Sequence, residues 1–363
     1  MIKREKKIDK VISREEKNAV KSKIKKSIIA LIIVDVIVAI CFFLTYGPIS
    51  YFREFLITTA MTTQSHRYLA KIFYSQDTIN EVLSKNTIMD FSSGSDATQI
   101  VIGGIEEGNY ASSYEKEILE HDEGQDYKLI EFEYNGYDCY LVAMYDPKRV
   151  SLAQSAYIGS SGQYLRDIAK NNGAKAAINA GGFLDSDASG IPGTGNGGLP
   201  AGVVIKDGKL IYGNGNYSTS IAGFNHDGVL MLTYSTANQA IANGMKDAIQ
   251  FGPFLIVNGV SASISGNGGW GINPRTVLAQ RKDGIVLFLV VDGNGANKYN
   301  WSGRGGVGMA DLIVILERYG AYNAVNMDGG ASTTLVIENQ LKNHPCGYSQ
   351  TGERRLPNGW IFK

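Results

Sequence analysis

Four times in the C-terminal half of this 363-residue chain an apolar run stops at Asp-Gly or Asn-Gly and then resumes. The four are VVIKDGKLI at Asp207-Gly208, FNHDGVLML at Asp227-Gly228, FLIVNGVSA at Asn258-Gly259 and LAQRKDGIVLFLVV at Asp283-Gly284. These dipeptides accept the positive φ that tight hairpins demand, so the runs on either side should pair antiparallel. Further upstream, EFEYNGYDCYLVAMY alternates aromatic and β-branched residues with polar ones, as a half-buried strand does. Two segments interrupt with apolar residues three and four apart, QYLRDIAKNN around 162–172 and MADLIVILERY around 309–319. Gly173 and Gly320 stand where their C-caps belong. The expectation for residues 128–363 is an α+β domain with a mixed, largely antiparallel sheet and a few packed helices.

The other end of the chain follows different rules. Residues 1–26 hold eleven Lys and Arg against four acids, although the whole chain is balanced at 35 basic and 35 acidic residues. No global field therefore favours nucleic acid as a partner. Residues 27–46, SIIALIIVDVIVAICFFLTY, contain no basic residue and one acid, Asp35. Twenty helical residues match a hydrocarbon core of about 30 Å. The run is longer than the apolar part of a signal peptide, and Thr45-Tyr46-Gly47-Pro48 offers no small-residue cleavage pattern. This segment reads as an uncleaved single-pass anchor. The basic cluster Lys21, Lys23, Lys25 and Lys26 keeps residues 1–26 as a cytoplasmic tail and sends the C-terminal domain out of the cell. Asp35 is costly in lipid, and a partner helix or a second copy of the anchor is one way to lower that cost. Residues 47–127 read as a helical stalk and linker. FREFLITTA, HRYLAKIFY and a Ser75-capped TINEVLSKN form the stalk, and a polar, Gly/Ser-rich, acidic stretch over 91–127 follows it. Cys139 and Cys346 both fall on the exported side, and the sequence leaves open whether they form a disulfide.

Several chemistries are excluded. The four histidines (His66, His121, His226 and His344) stand apart, with no zinc spacing. There is no Walker loop and no G-x-S-x-G elbow. Gly303, Gly305 and Gly308 spell G-x-G-x-x-G, but the preceding strand ends near Val291, too early for the tight turn a dinucleotide site needs. What remains of that motif is a glycine-rich approach to a helix N-terminus, which suits a phosphate, with Arg304 in the loop. Arg275, just before a strand, offers a planar fork for the same group.

The sharper signal is an apolar strand that runs straight into polar residues flanked by glycine. AAINAGGF ends at Asn179 and bares its backbone at Gly181 and Gly182. VLFLVVDGNG ends at Asp292, and AYNAVNMDGGAS at Asp328, Gly329 and Gly330. A carboxylate at the mouth of a buried strand is expensive unless it is paired, bound or catalytic. Such endings suggest convergence on one cleft.

At these residues the chain resembles the phosphodiester glycosidase family. The matching pieces run in order: NAGGF at 179–183, GPFLIVNG at 252–259, NPRTVLAQRKDGIVLFLVVDG at 273–293, NMDGGASTTL at 326–335 and ERRLPNGWIF at 353–362. The resemblance implies a site drawn from Asn179, Arg275, Asp292, Asp328, Gly329, Gly330, Ser332, Glu353 and Arg354. Arg355 departs from the pattern, which usually continues with Pro, and IPGTGNGGLP at 191–200 is an insertion. Both bear on which substrate is taken.

The chemistry implied is cleavage of a sugar-1-phosphodiester, in which C1 parts from a phosphate oxygen. Phosphate leaves as a stabilised anion, so the protein must mainly hold it, support an oxocarbenium-like state and supply a base or nucleophile. Asp292 and Asp328 are the favoured carboxylates, and Glu353 is the third. Arg275, with Arg304 and Arg354 as helpers, is assigned to the phosphate. Asn179, Ser332 and Thr333 are assigned to sugar hydroxyls or phosphate, beside the bared backbone at Gly181, Gly182, Gly329 and Gly330. No cofactor is required. Two aspartates beside phosphate leave a divalent cation open, and no metal ligand is assigned. The address and the resemblance together point to phosphorylated glycans of a cell envelope, such as teichoic acid, capsule or exopolysaccharide. The competing reading is a membrane-tethered module that binds such glycans without turning them over.

Overall fold

The structure is a computed structural model that describes residues 2–63, 67–89, 91–104, 108, 110–184, 195–293, 305–347 and 349–363. The chain divides into two compact units, Met1–Leu56 and Ile57–Lys363. The first is dominated by one helix, Ile2–Tyr46, which extends the expected anchor back through the basic tail. Its segment Lys21–Tyr46, 26 residues, is long and apolar enough to cross a membrane. Gly47 closes it by donating to the Phe43 carbonyl at 2.8 Å, and Pro48 cannot continue the ladder.

The second unit is built on three antiparallel sheets. Sheet A has seven strands, in the order Val260–Ser261, Phe254–Val257, Ala321–Asn326, Arg275–Arg281, Val286–Val291, Tyr137–Met144 and Tyr127–Tyr134. Sheet B orders Lys209–Tyr212, Val204–Lys206, Met245–Gln250, Thr219–Asn225 and Leu230–Ser235. Sheet C orders Gln340–Leu341, Leu335–Ile337, Ala176–Asn179, Asn358–Phe362 and Val150–Gln154. The expected α+β class is what the chain adopts. The four turns divide into two kinds. Asp207-Gly208 and Asn258-Gly259 have positive φ at both residues, whereas at Asp227-Gly228 and Asp283-Gly284 only the glycine does. The first pair are two-residue hairpins that join Lys206 to Lys209 and Val257 to Val260.

Sheet A explains its own apolar runs. Val286, Phe288 and Val290 face a core shared with Phe224 and Ile249 of sheet B and Ile178 and Trp360 of sheet C. Leu287, Leu289 and Val291 face the opposite side, under helix Met309–Arg318 through Leu312, Ile315 and Leu316. A strand covered on both faces has no polar side to alternate with, hence VLFLVV. Helix Leu165–Asn171 covers the outer face of sheet C through Leu165, Ile168 and Ala169.

The stalk and linker differ from the sequence expectation. From Ile57 onward they belong to the folded unit. Ile57, Ala70, Ile79 and Ile118 are fully buried. Thr87–Ile88 pairs with Ile264–Ser265, and helix Ser113–Leu119 enters the core beneath sheet A. Val101 donates to the Lys282 carbonyl and Ser95 to that of Leu232. The polar composition of 91–127 concealed this, because a few isolated apolar residues, Ile100 and the pair Ile118-Leu119, do the anchoring. Cys139 and Cys346 are separate thiols, and burial pushes Cys139 up to about 12.

Candidate active site

Antiparallel register brings the predicted residues to one end of sheet A. Arg275 pairs with Val291, and Val277 with Asn326. The residues just beyond those strands, Asp292 and Asp328, therefore leave the sheet beside Arg275. Met327 donates to the Thr276 carbonyl and Gly330 to that of Pro274, both at 2.8 Å, which continues the zipper past the strand ends.

Arg275 is 4% exposed and caged by main chain. Its Nε donates to the Val307 carbonyl at 3.2 Å, and its Nη2 to the Trp270 and Gly271 carbonyls, each at 2.7 Å. Burial lowers its pKa to about 10, and the charge of Asp328 opposes that shift. Arg275 is therefore a cation at neutral pH. Its Nη1 lies on the Gly329 side, 3.7 Å from where a Cβ on that glycine would stand. The same Cβ would lie 2.8 Å from the Pro274 carbonyl, so only glycine lets the strand end this close to the arginine.

Asp328 is half-buried and its backbone is fixed from sheet C. It donates N–H to the Ala180 carbonyl at 3.0 Å, and its own carbonyl accepts from Asn179 Nδ2 at 2.6 Å. Asn179 Oδ1 accepts from Thr276 Oγ1 at 2.7 Å and from Thr334 N at 3.0 Å. Asn179 is thus a buried knot that ties sheet C to sheet A. Its amide, assigned from sequence to substrate, is spent on the protein.

Asp292 is 2% exposed, and both of its oxygens are engaged. Oδ1 accepts from Asn343 Nδ2 and Oδ2 from His344 N, each at 2.7 Å. His344 Nδ1 stands 3.3 Å from Oδ2, and its side chain is 61% exposed. Burial pushes the Asp292 carboxyl up, against the pull of Asn343 and His344. Asn343 in turn donates to the Thr333 carbonyl and accepts from Leu335 N. Asp292 therefore holds the segment after Asp328 in place and presents an exposed imidazole.

Glu353 is enclosed in a two-pronged ion pair. Arg166 Nε meets Oε1 at 3.1 Å and Nη2 meets Oε2 at 2.6 Å, with Thr351 Oγ1 adding 2.8 Å. Ser332 and Thr333 are buried at 2% and 0% exposure. Gly181 N donates to Asn358 Oδ1 at 2.9 Å, and a Cβ on Gly182 would reach 3.0 Å from Phe251. The Arg354 guanidinium carbon lies 4.6 Å from the centre of the Phe183 ring. Arg304 lies outside the described residues. The helix tip at Gly308 departs from the expected phosphate cradle: Asp311 Oδ2 accepts from Gly308 N at 2.9 Å, so a carboxylate already sits there. Among the described residues no three His, Cys, Asp or Glu side chains gather where a metal ion could be held.

The sequence reading missed Thr276, Thr334, Asn343, His344, Asn358 and Arg166. Thr276 could have been found, as the residue after Arg275. His344 could not, because its partner lies fifty-two positions away and nothing local marks it.

Strand-end Asp328, caged Arg275 and the Asp292–His344 pair stand at one end of sheet A in an α+β domain. The chain belongs to the phosphodiester glycosidase family, whose model matches residues 172–363. It is 23% identical over 240 residues to a mouse N-acetylglucosamine-1-phosphodiester alpha-N-acetylglucosaminidase, covering 60% of this chain and 43% of the mouse protein. An uncharacterised SPbeta prophage-derived protein of Bacillus subtilis is 25% identical over 210 residues, covering 55% of this chain and 30% of that one. The chain therefore spans less than half the length of these relatives. Among solved structures, the zebrafish N-acetylglucosamine-1-phosphodiester alpha-N-acetylglucosaminidase catalytic domain, auto-inhibited by its pro-peptide, shares the fold. Its TM-score is 0.52 at 20% identity, over 67% of this chain and 85% of that one. The family's description is that of a phosphodiester glycosidase, a hydrolase of the glycosidase type.

Proposed function

We propose that this chain is a membrane-anchored, extracytoplasmic hydrolase that cleaves sugar-1-phosphodiester linkages in envelope glycopolymers. The observation that carries the reading is a half-exposed carboxylate, Asp328, at the end of a buried strand beside a buried cation, Arg275. In this reading the C1–O bond breaks and water supplies the hydroxyl to C1. The sugar leaves as a free reducing sugar, and the phosphate leaves as a monoester. Asp328 stands on the C1 side, where it activates water and offsets the positive charge of the oxocarbenium-like state. Arg275 Nη1 draws off charge as it builds on the leaving phosphate oxygen, in a site too dry for water to do the same. Asp292 orients His344 toward the phosphate rather than attacking, since both of its oxygens are committed. Glu353 holds Arg166, and Arg354, stacked on Phe183, is assigned to the distal part of the phosphate. The Lys21–Tyr46 segment, with the basic cluster at its N-terminal end, supports the single-pass, N-terminus-in address.

The test is incubation of the full-length chain in detergent with synthetic N-acetylglucosamine-1-phosphodiesters. Released reducing sugar and phosphomonoester in equal amounts are the expected products. Saturable binding without release would favour the non-catalytic module instead. Protease added to intact spheroplasts should degrade the domain; protection would place it on the other side of the membrane.

A further inference from the structure

The glycine-rich loop that supplies two of the carbonyls around Arg275 is itself clamped from outside. Gly266, Gly268, Gly269 and Gly271 all have positive φ, a backbone that residues with a Cβ rarely adopt. What meets it is the chain segment that follows the apolar helix. Asn86, 3% exposed, accepts from Asn267 N at 2.8 Å through Oδ1, and its Nδ2 donates to the Val82 carbonyl at 2.8 Å. Thr58 Oγ1 accepts from Asn267 Nδ2 at 2.8 Å, and the Lys85 carbonyl accepts from Ser265 Oγ at 2.9 Å. The fit is tight. A Cβ on Gly266 would stand 2.2 Å from Asn86 Oδ1, one on Gly269 2.4 Å from the Asn86 carbonyl, and one on Gly271 2.5 Å from Thr59 Oγ1. The glycines are thus explained by what presses on them rather than by mobility. Three and four residues beyond Asn267, the Trp270 and Gly271 carbonyls fix Arg275 Nη2.

We infer that the described residues 57–63 and 67–89 are a built-in part of the site, and that Asn86, with Thr58, is a positioning residue for Arg275. This rests on the reading of Arg275 as the phosphate-holding group. The segment lies more than eighty residues ahead of the family match, which begins at 172. A rigid arginine matters because the benefit of a buried cation falls steeply when it is displaced from the charge it serves.

The experiment uses the full-length chain in detergent and three variants, Asn86→Ala, Asn267→Ala and the double. Asn86→Ala should lower kcat/KM on an N-acetylglucosamine-1-phosphodiester about 10- to 100-fold, and raise the inhibition constant of N-acetylglucosamine-1-phosphate by a similar factor. The inhibition constant of neutral N-acetylglucosamine should stay within about twofold, since Arg275 serves the phosphate. The double variant should lose more than either single one, because Asn86 Oδ1 takes the backbone N–H of residue 267 whereas the Asn267 side chain bonds Thr58 Oγ1, two separate contacts on one loop. Hydrogen exchange supplies a readout that needs no turnover: amides over 266–271 should exchange faster in Asn86→Ala, with the strands of sheet C unchanged. Thr58→Val, which keeps shape and loses only the acceptor, should give the same pattern more weakly if Asn86→Ala does not fold. Unchanged exchange over 266–271, or equal losses for the neutral and phosphorylated sugars, would overturn the inference. A wild-type chain that neither cleaves nor binds the phosphodiester would sink the proposed function, while the exchange result would still decide the clamp.

Discussion

Asn179 holds the main chain of Asp328 rather than a ligand: its Nδ2 donates to the Asp328 carbonyl at 2.6 Å, from a side chain with no exposed surface. The same amide oxygen takes Thr276 and Thr334, so one buried side chain sets where two strand ends meet. Asn179→Asp keeps the acceptor, removes the donor and sets a carboxylate against a carbonyl. Replacing one partner in a buried network costs about 1–3 kcal/mol. The expected result is a chain destabilised by that amount in thermal melts. Its kcat should fall more than its KM rises, since the carboxylate proposed to activate water is displaced. Wild-type kcat in this variant would refute the positioning role.

Asp328→Asn tests the chemistry itself. The residue is half-exposed, so the amide should fit without loss of fold, and the change removes only the ionisable group. Loss of a general base typically costs about 10²–10⁴-fold in rate, and that loss is expected in kcat on sugar-1-phosphodiesters. Calorimetric binding of the same diester should persist within a few-fold. Retained turnover would remove Asp328 from the role given to it.

Asp292, proposed to hold rather than react, should behave differently. In Asp292→Asn an N–H must face either Asn343 Nδ2 or the His344 N–H, and Asn343 cannot turn round without losing Leu335 N. One buried donor stays unpaired, at a cost of about 1–3 kcal/mol. His344→Gln, on an exposed side chain, should leave stability alone and lower kcat/KM by about tenfold or more if the imidazole serves the phosphate. Comparison of the two melts separates them: a destabilised His344→Gln would make the histidine structural.

How much of this could be read from the chain depended on how local the signal was. Asp-Gly and Asn-Gly turns and continuous apolar strands are local, and the antiparallel pairing followed from them, whereas the division into three sheets did not. That the ends at Asp292 and Asp328 flank the strand of Arg275 came from register, not from the motif: Arg275 pairs with Val291, and Val277 with Asn326. What each residue does there was not legible. Asn179, Asp292 and Glu353 look like reactive groups in a motif, yet their partners Thr334, His344 and Arg166 lie between fifty and two hundred positions away. Only register and sheet packing bring such pairs together. The stalk failed for a related reason: composition averages over a segment, whereas Ile57, Ile79 and Ile118 anchor theirs one residue at a time.

Glu353 gives a clean contrast between a catalytic and an architectural carboxylate. Its side chain has no exposed surface, while that of Arg166 is 39% exposed. Glu353→Gln leaves Arg166 able to turn to solvent, so the cost should stay near the low end of the 1–3 kcal/mol range for an orphaned buried partner. If Glu353 only anchors, Arg166→Gln should reduce activity as much as Glu353→Gln does, in step with melting temperature. A collapse of kcat in Glu353→Gln alone, with an unshifted melt, would restore it as a reacting group.

Acid stability should report on Asp126, which joins two sheets. It accepts from Arg149, at the start of the Val150–Gln154 strand, and from Lys175, just ahead of Ala176–Asn179. The Arg149 hydrogen bond, then that of Lys175, hold its carboxyl down to about 2. An unfolded aspartate titrates near 3.9. The folded chain therefore binds this proton less readily than the unfolded chain does, and the carboxylate adds stability at every pH above about 4. As pH falls from about 4 toward about 2 the unfolded state takes up the proton first, and the contribution fades through that window. Asp126→Asn removes the ionisable group together with its attraction to two cations. Melting temperatures of the full-length chain in detergent, taken from pH 6 to pH 2, should therefore fall less steeply below about pH 4 in Asp126→Asn than in the wild type. Parallel curves would mean that the Arg149 and Lys175 contacts do not survive in solution.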